Sequence, residues 1–147
     1  VSRKIVVDSN NSFKYKNASI PKKKIIFNEI NINWNLPITI VEGPLDLIKT
    51  NDNATCLLGS SLTEDMLLFQ KIVKNKTEVN LALDKDVYSK TLKIAETLDN
   101  YNIKVNIVDT RGASDVGEMD RDFFLKKLED SKEYSYNMFI RSKINML

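Results

Sequence analysis

The chain has 147 residues, 42% of them hydrophobic and 29% charged, with a net charge of +2, no histidine and a single cysteine, Cys56. That length fits one domain burying roughly two-thirds of its unfolded surface, and no apolar run approaches the roughly 20 residues of a membrane span. A lone cysteine excludes an internal disulfide, and without histidine the chain cannot build a zinc ribbon, a Ser-His-Asp triad or a Cys-His dyad, so its chemistry must come from carboxylates, lysines and metal.

The charge is unevenly spread. Residues 1–37 hold seven Lys/Arg against two Asp/Glu, which leaves the first segment at +5 and the remainder at −3. This segment reads as a loosely packed basic arm, or the remnant of a preceding subdomain, in which Lys14, Lys16, Lys22, Lys23 and Lys24 interleave with Phe13 and Tyr15. Such a mixture suits a single nucleic-acid strand, with lysines on phosphates and rings on bases, although an ordinary solvated surface has the same composition. The chain opens without an initiator methionine, which suggests a fragment or a processed chain. No apolar leader follows a charged start, which predicts a cytoplasmic protein. The bias toward Asn, Lys and Ile points to a phage or a low-GC bacterium.

From Ile38 the texture changes to alternating strand-like and helix-like segments, the rhythm of parallel βαβ units. Residues 38–41 read as a strand, Glu42-Gly43 as its turn, and Pro44 as the first position of a helix through about Lys49. Residues 54–58 form a second short strand, with Cys56 as a buried small hydrophobe, and Gly59-Ser60-Ser61 a loop feeding a helix for which Ser61 and Glu64 suit a capping box. Leu62, Met66, Phe69, Ile72 and Val73 recur at helical spacing and should face the sheet.

The central stretch, residues 79–86, reads V-N-L-A-L-D-K-D. Its apolar positions suit a strand covered on both faces, and Asp84 and Asp86 fall where that strand ends. Open α/β sheets hold ligands outside the carboxyl ends of their strands, and hard cations take carboxylate oxygens, so D-x-D there is a candidate metal site; a solvated turn is the competing reading. A covering helix over residues 87–98 places Tyr88, Leu92, Ala95 and Leu98 on one stripe, with Asn100 as its stop. A strand over residues 103–108 leads into a polar loop through Glu118, a helix opens near Asp120, and residues 131–147 form a helical tail.

Three acidic motifs therefore leave sheet ends: Glu42-Gly43-Pro44-Leu45-Asp46, Asp84-Lys85-Asp86 and Asp115-Val116-Gly117-Glu118. In order and spacing, together with the Gly59-Ser60-Ser61-Leu62-Thr63 loop, residues 38–130 resemble a Toprim domain, the unit shared by primases, type IA and type II topoisomerases and certain nucleases. The primase branch is the nearest likeness. The resemblance implies an α/β fold with a mostly parallel, Rossmann-like sheet flanked by helices. It implies Glu42 as general acid/base or metal holder, Asp84 and Asp86 as ligands and catalytic groups with Mg2+ or Mn2+, and Asp115 completing the cluster, with Asp46 and Glu118 beside it. The implied activity is RNA primer synthesis on single-stranded DNA from nucleoside triphosphates, with a replicative helicase and a zinc-binding module as partners and no membrane. A Toprim nuclease, or a Toprim module that only binds DNA, remains open. Two positions depart from the family pattern: Val87-Tyr88-Ser89 replaces a glycine-containing turn, and Asp115-Val116-Gly117-Glu118 replaces a D-P-D/E-like segment.

Overall fold

The computed structural model describes residues 3–4, 15–16, 21–111 and 116–144, the side chains of 3, 4, 15, 16, 142 and 143 excepted. Strands β1 (Arg3–Lys4) and β2 (Tyr15–Lys16) pair antiparallel. Strands β3 (Ile38–Val41), β4 (Ala54–Cys56), β5 (Val79–Leu81) and β6 (Val105–Ile107) are mutually parallel, and β7 (Lys132–Glu133) joins β6 antiparallel. The sheet order is β4-β3-β5-β6-β7, so β3 and β5 lie next to each other near its middle. Four helices complete the fold: α1 (Leu67–Asn75), α2 (Tyr88–Asp99), α3 (Arg121–Glu129) and α4 (Tyr136–Ile144). No helix among the described residues is long and apolar enough to cross a membrane.

Alternation along the strands explains the layering. Ile38, Ile40, Val79, Leu81 and Val105 point to one face, where Phe69 and Ile72 of α1 and Leu92, Ala95 and Leu98 of α2 cover them, with Met138 and Phe139 of α4 packed alongside. On the other face Val41, Cys56, Ala82 and Val108 meet Val116, Met119 and Phe124, the last on α3. Both faces are thus buried, as expected of a parallel sheet. Toward the strand beginnings the second face turns polar: Asn80 and Asn106 sit opposite each other and share a 2.9 Å hydrogen bond, and Asn106 also donates to Glu78 at 2.7 Å. Burial pushes the Cys56 thiol up to about 11, which leaves it a protonated, inert core group.

Four local expectations need correction. The segment after Glu42 is not a helix from Pro44; it turns and then makes a short 3-10 helix, Asp46–Lys49. The carboxylate of Asp46 accepts the Gly43 N–H at 2.8 Å, and both N–H and Oγ1 of Thr50 close onto the Leu47 carbonyl, so the coil ends after one turn. Residues 42–53 also provide only about the dozen residues a parallel crossover requires. The capping box of Ser61 and Glu64 does not form, because α1 begins at Leu67 with Met66 as its N-cap. Ahead of it Thr63 bonds to Asp65 and to the Met66 sulfur, holding a turn from which Leu62 and Met66 reach the core.

Residues 21–36 are not loosely packed. Ile26 joins the core, Asn28 donates to the Ala54 carbonyl, Thr55 to that of Phe27, and Asn53 bonds to Asn33, Leu36 and Pro37. This segment covers the outer edge of β4, meeting backbone groups an edge strand otherwise exposes. Trp34 packs partly buried against the core, its carbonyl accepting from Thr77. The fourth correction is Tyr88, expected on the buried stripe of α2; it is 44% exposed at that helix's first position. The boundaries of α2 and α3 otherwise agree with expectation: Asn100 caps α2, and the Asp120 side chain accepts from the N–H groups of Asp122 and Phe123 at the start of α3.

Candidate metal centre

Because β3 and β5 are parallel neighbours, the residues that follow them emerge side by side. Register fixes how close: Ile40 stands opposite Leu81, and the Ala82 N–H donates to the Ile40 carbonyl at 2.9 Å. Two residues further along, the next donor, the Asp84 N–H, reaches the Glu42 Oε1 at 3.3 Å. The glutamate side chain therefore takes the place of a main-chain carbonyl in extending the ladder, which aims its carboxylate at the end of β5. On the other flank the Gly59 N–H donates to the Glu42 carbonyl at 3.3 Å.

Carboxylate oxygens of Glu42, Asp84 and Asp86 lie within 4.8 Å of one another. Ligand oxygens around one Mg2+ stand about 3 to 4.2 Å apart, so a trio gathered within 4.8 Å is close enough to be drawn onto a single ion by side-chain adjustment. Three hard oxygen donors match Mg2+ or Mn2+, and the donor set fits no soft-metal alternative. Glu42 and Asp84 are half-buried and Asp86 is exposed, which leaves one side of the cluster open to solvent.

Electrostatics agree with the geometry. Burial is the largest influence on Glu42 and raises its carboxyl above the ordinary 4.5; the Asp84 N–H works the other way, the Asp86 and Asp46 carboxylates raise it further, and the Lys90 ammonium lowers it. Three carboxylates beside one another are unfavourable unless a cation or a proton compensates.

Asp46 stands near enough to bear on Glu42, yet one of its oxygens holds the Gly43 N–H, so it anchors the turn and stays outside the trio. The third motif comes to the same end of the sheet: the 3-10 turn Val116–Glu118 packs against Asp46–Lys49. Glu118 is exposed on that turn and is not among the clustered carboxylates. Asp115 lies outside the described residues.

The basic candidates are scattered differently. Lys22–Lys24 form a 3-10 turn after Pro21, where Lys22 donates to the Leu58 carbonyl, Lys23 pairs with Asp65 and Lys24 is exposed. Lys22 so braces the loop at the end of β4, where Leu58 takes a left-handed φ of 55°. Lys14 lies outside the described residues, and for Lys16 the structure describes only the strand that contains it. One cation the motifs do not mark is Lys90: it donates to the Ser60 Oγ at 2.9 Å while bearing on Glu42, so it bridges the 59–61 loop and the acidic trio. Its position one turn into α2 was the available signal, since a helix leaving D-x-D carries its first turn past the site.

No family model matches the chain, and comparison with curated proteins returns no significant match.

Proposed function

We propose that this chain is a Toprim-type catalytic domain of the primase branch, joining ribonucleotides on a single-stranded DNA template with a divalent cation. The observation that supports it is the meeting of Glu42, Asp84 and Asp86 at the ends of adjacent parallel strands, their carboxylate oxygens within 4.8 Å. In this reading Asp84, Asp86 and Glu42 hold Mg2+ or Mn2+, with Asp115 from the third motif joining them. The bound cation neutralises charge on phosphate oxygens and so eases nucleotidyl transfer. Glu42, raised above the usual carboxylate range by burial, is the group suited to hold or pass a proton. Asp46 keeps the turn below it rigid, and Lys90 fixes the neighbouring loop while offsetting part of the negative charge. Template contact falls to the basic segment with Lys22, Lys23 and Lys24, alongside Lys14 and Lys16.

The test is primer synthesis from ribonucleoside triphosphates on a single-stranded template with Mn2+, beside a Mn2+ binding isotherm. The expected result is template-dependent product that Glu42→Gln abolishes while still binding the cation. Cleavage of supplied DNA without primer formation assigns the same centre to a nuclease, and DNA binding with neither activity assigns the chain to a binding module.

A further inference from the structure

A cleft of about 620 Å3 opens at the start of β4 and shares no residue with the acidic trio. Residues of the 28–36 segment form one wall, and the turn Asp46–Lys49 with the residues leading into β4 forms the other. Arg121, the first residue of α3, also lines it and pairs with Asp52 at 3.2 Å.

Five asparagines line this cleft, and they divide by what their carboxamides hold. Asn28 and Asn53 are the frame. Asn28 donates to the Ala54 carbonyl at 3.1 Å and accepts from Asn31 at 2.6 Å. Asn53 accepts the Asn33 N–H and donates to the carbonyls of Asn33, Leu36 and Pro37. Asn33 and Asn51 keep hydrogen-bonding groups in hand: the Asn33 Oδ1 accepts the Asn35 N–H while its amide nitrogen has no acceptor among the described residues, and the Asn51 Oδ1 is buried without a donor among them. An acceptor taken out of water with no donor is unfavourable, so this oxygen rewards whatever brings an N–H to it.

The remaining lining selects the kind of molecule that does so. Its only charges are Asp52 and Arg121, which offset each other, so no net field draws a phosphate or a carboxylate. No aromatic ring lines it, which removes the surface on which nucleobases stack. What stands beside the carboxamides is aliphatic: Leu36 and Ile48 line the cleft while 52% and 68% exposed. A carboxamide carries the donor and acceptor of a peptide group, and aliphatic walls suit an aliphatic side chain. At roughly 3.3 Å per residue, about three residues of strand cross a cleft of this volume. We propose that it docks an extended, uncharged segment of a partner protein, with main-chain amides on Asn33 and Asn51 and an aliphatic side chain against Leu36 and Ile48. The inference uses nothing of the metal reading.

The experiment follows the asparagine side-chain amide signals of the full 147-residue chain by NMR during titration with the capped tripeptide acetyl-Ala-Leu-Ala-methylamide. Saturable shifts at Asn33 and Asn51 are expected, with a dissociation constant in the millimolar range for a ligand of this size. Ile48→Asp, at an exposed position, weakens binding at least about tenfold, and so does an aspartate in place of the leucine of the tripeptide, because each sets a charge against an aliphatic surface. Asn51→Ala weakens it about fivefold, the loss of one hydrogen bond, and leaves the melting temperature in place because the oxygen has no partner in the free chain. Ile30→Asp, 94% exposed and outside the cleft, changes nothing, nor does Glu42→Gln. Circular dichroism on each variant confirms folding. Absence of saturable shifts at Asn33 and Asn51 overturns the proposal, as does full affinity in both Ile48→Asp and Asn51→Ala. Maltose held more tightly than the tripeptide through the same residues overturns it as well, and assigns the cleft to a neutral sugar.

Discussion

Asp84 stands between two junctions of one sheet edge that treat aspartate and glutamate in opposite ways. On the β3 side Glu42 is half-buried with Asp86 and Asp46 nearby, and its carboxyl is raised above the ordinary range. On the β6 side Asp109 is clasped by Arg111, and that bond is the main reason its carboxyl falls to about 2. Both groups leave the carboxyl end of a parallel strand, so topology alone does not set their chemistry. Partners do: Glu42 has two carboxylates beside it and the Lys90 ammonium as its weakest influence, whereas Asp109 is held by two cations, Arg111 and Lys127.

The most drastic way to test the contrast is to undermine one side. Phe124 is fully buried in the layer beneath α3, next to Phe123, which is exposed. Phe124→Ala is expected to cost about 3–5 kcal/mol in urea unfolding, the range for deleting a core phenylalanine, whereas Phe123→Ala stays within about 0.5 kcal/mol, as surface changes do. Comparable losses from the two neighbours would mean that α3 does not turn Phe124 inward and Phe123 outward, and Lys127 would lose its place beside Asp109.

A smaller effect separates the acidic side. Mn2+ at about a hundred times its dissociation constant is expected to stabilise the chain by about 2.7 kcal/mol, the response vanishing on adding EDTA. Asp86→Asn, which removes an exposed member of the trio, should shift the midpoint of that response at least about tenfold upward in Mn2+, since each carboxylate adds attraction to a divalent ion at close range. Lys127→Ala should leave it in place. A response equally sensitive to both substitutions would erase the distinction between the two junctions.

How far this was legible in the sequence differs by element. The β3 run Ile38-Thr39-Ile40-Val41 is β-branched throughout and buried at every position, so pattern and structure coincide residue for residue. Asp120 announced α3 because an N-cap works through its own side chain. By contrast β7 is Lys132-Glu133, both exposed, held only by its pairing to β6; nothing in two charged residues signals a strand. The start of α1 was misplaced because Leu62 and Met66 are buried in helical phase with Phe69 although they lie on a turn, and burial by a turn leaves the same periodic mark as burial by a helix. The acidic trio was readable because D-x-D and E-G each follow an apolar run, and the carboxyl ends of parallel strands open on one edge of a sheet. The asparagine-lined cleft was not, because Asn33, Ile48 and Arg121 come from three elements whose approach depends on how the chain folds back around β4, and no spacing encodes that.

The finest test concerns the sign of two small pH effects. For Glu42 the folded state holds its proton more tightly than the unfolded chain, so wild-type stability is fully present below 4.5 and declines as pH rises through the elevated folded value. Metal-free Glu42→Gln, whose amide oxygen can still accept the Asp84 N–H, is therefore expected to be more stable than wild type at pH 7, with the advantage fading as pH falls from the elevated folded value and gone below 4.5. Asp109 runs the other way: its pairing contributes above 3.8 and is lost as pH falls through about 2. Because that side chain is 44% exposed and screened by solvent, Asp109→Asn should cost less than about 1 kcal/mol at pH 7. The two variants thus bracket wild type at neutrality and converge on it in acid, Glu42→Gln first and Asp109→Asn only near pH 2. If both shift stability in the same direction at pH 7, the two junctions share one electrostatic environment. A lone cation near Asp84 would then have no reason to prefer the β3 side.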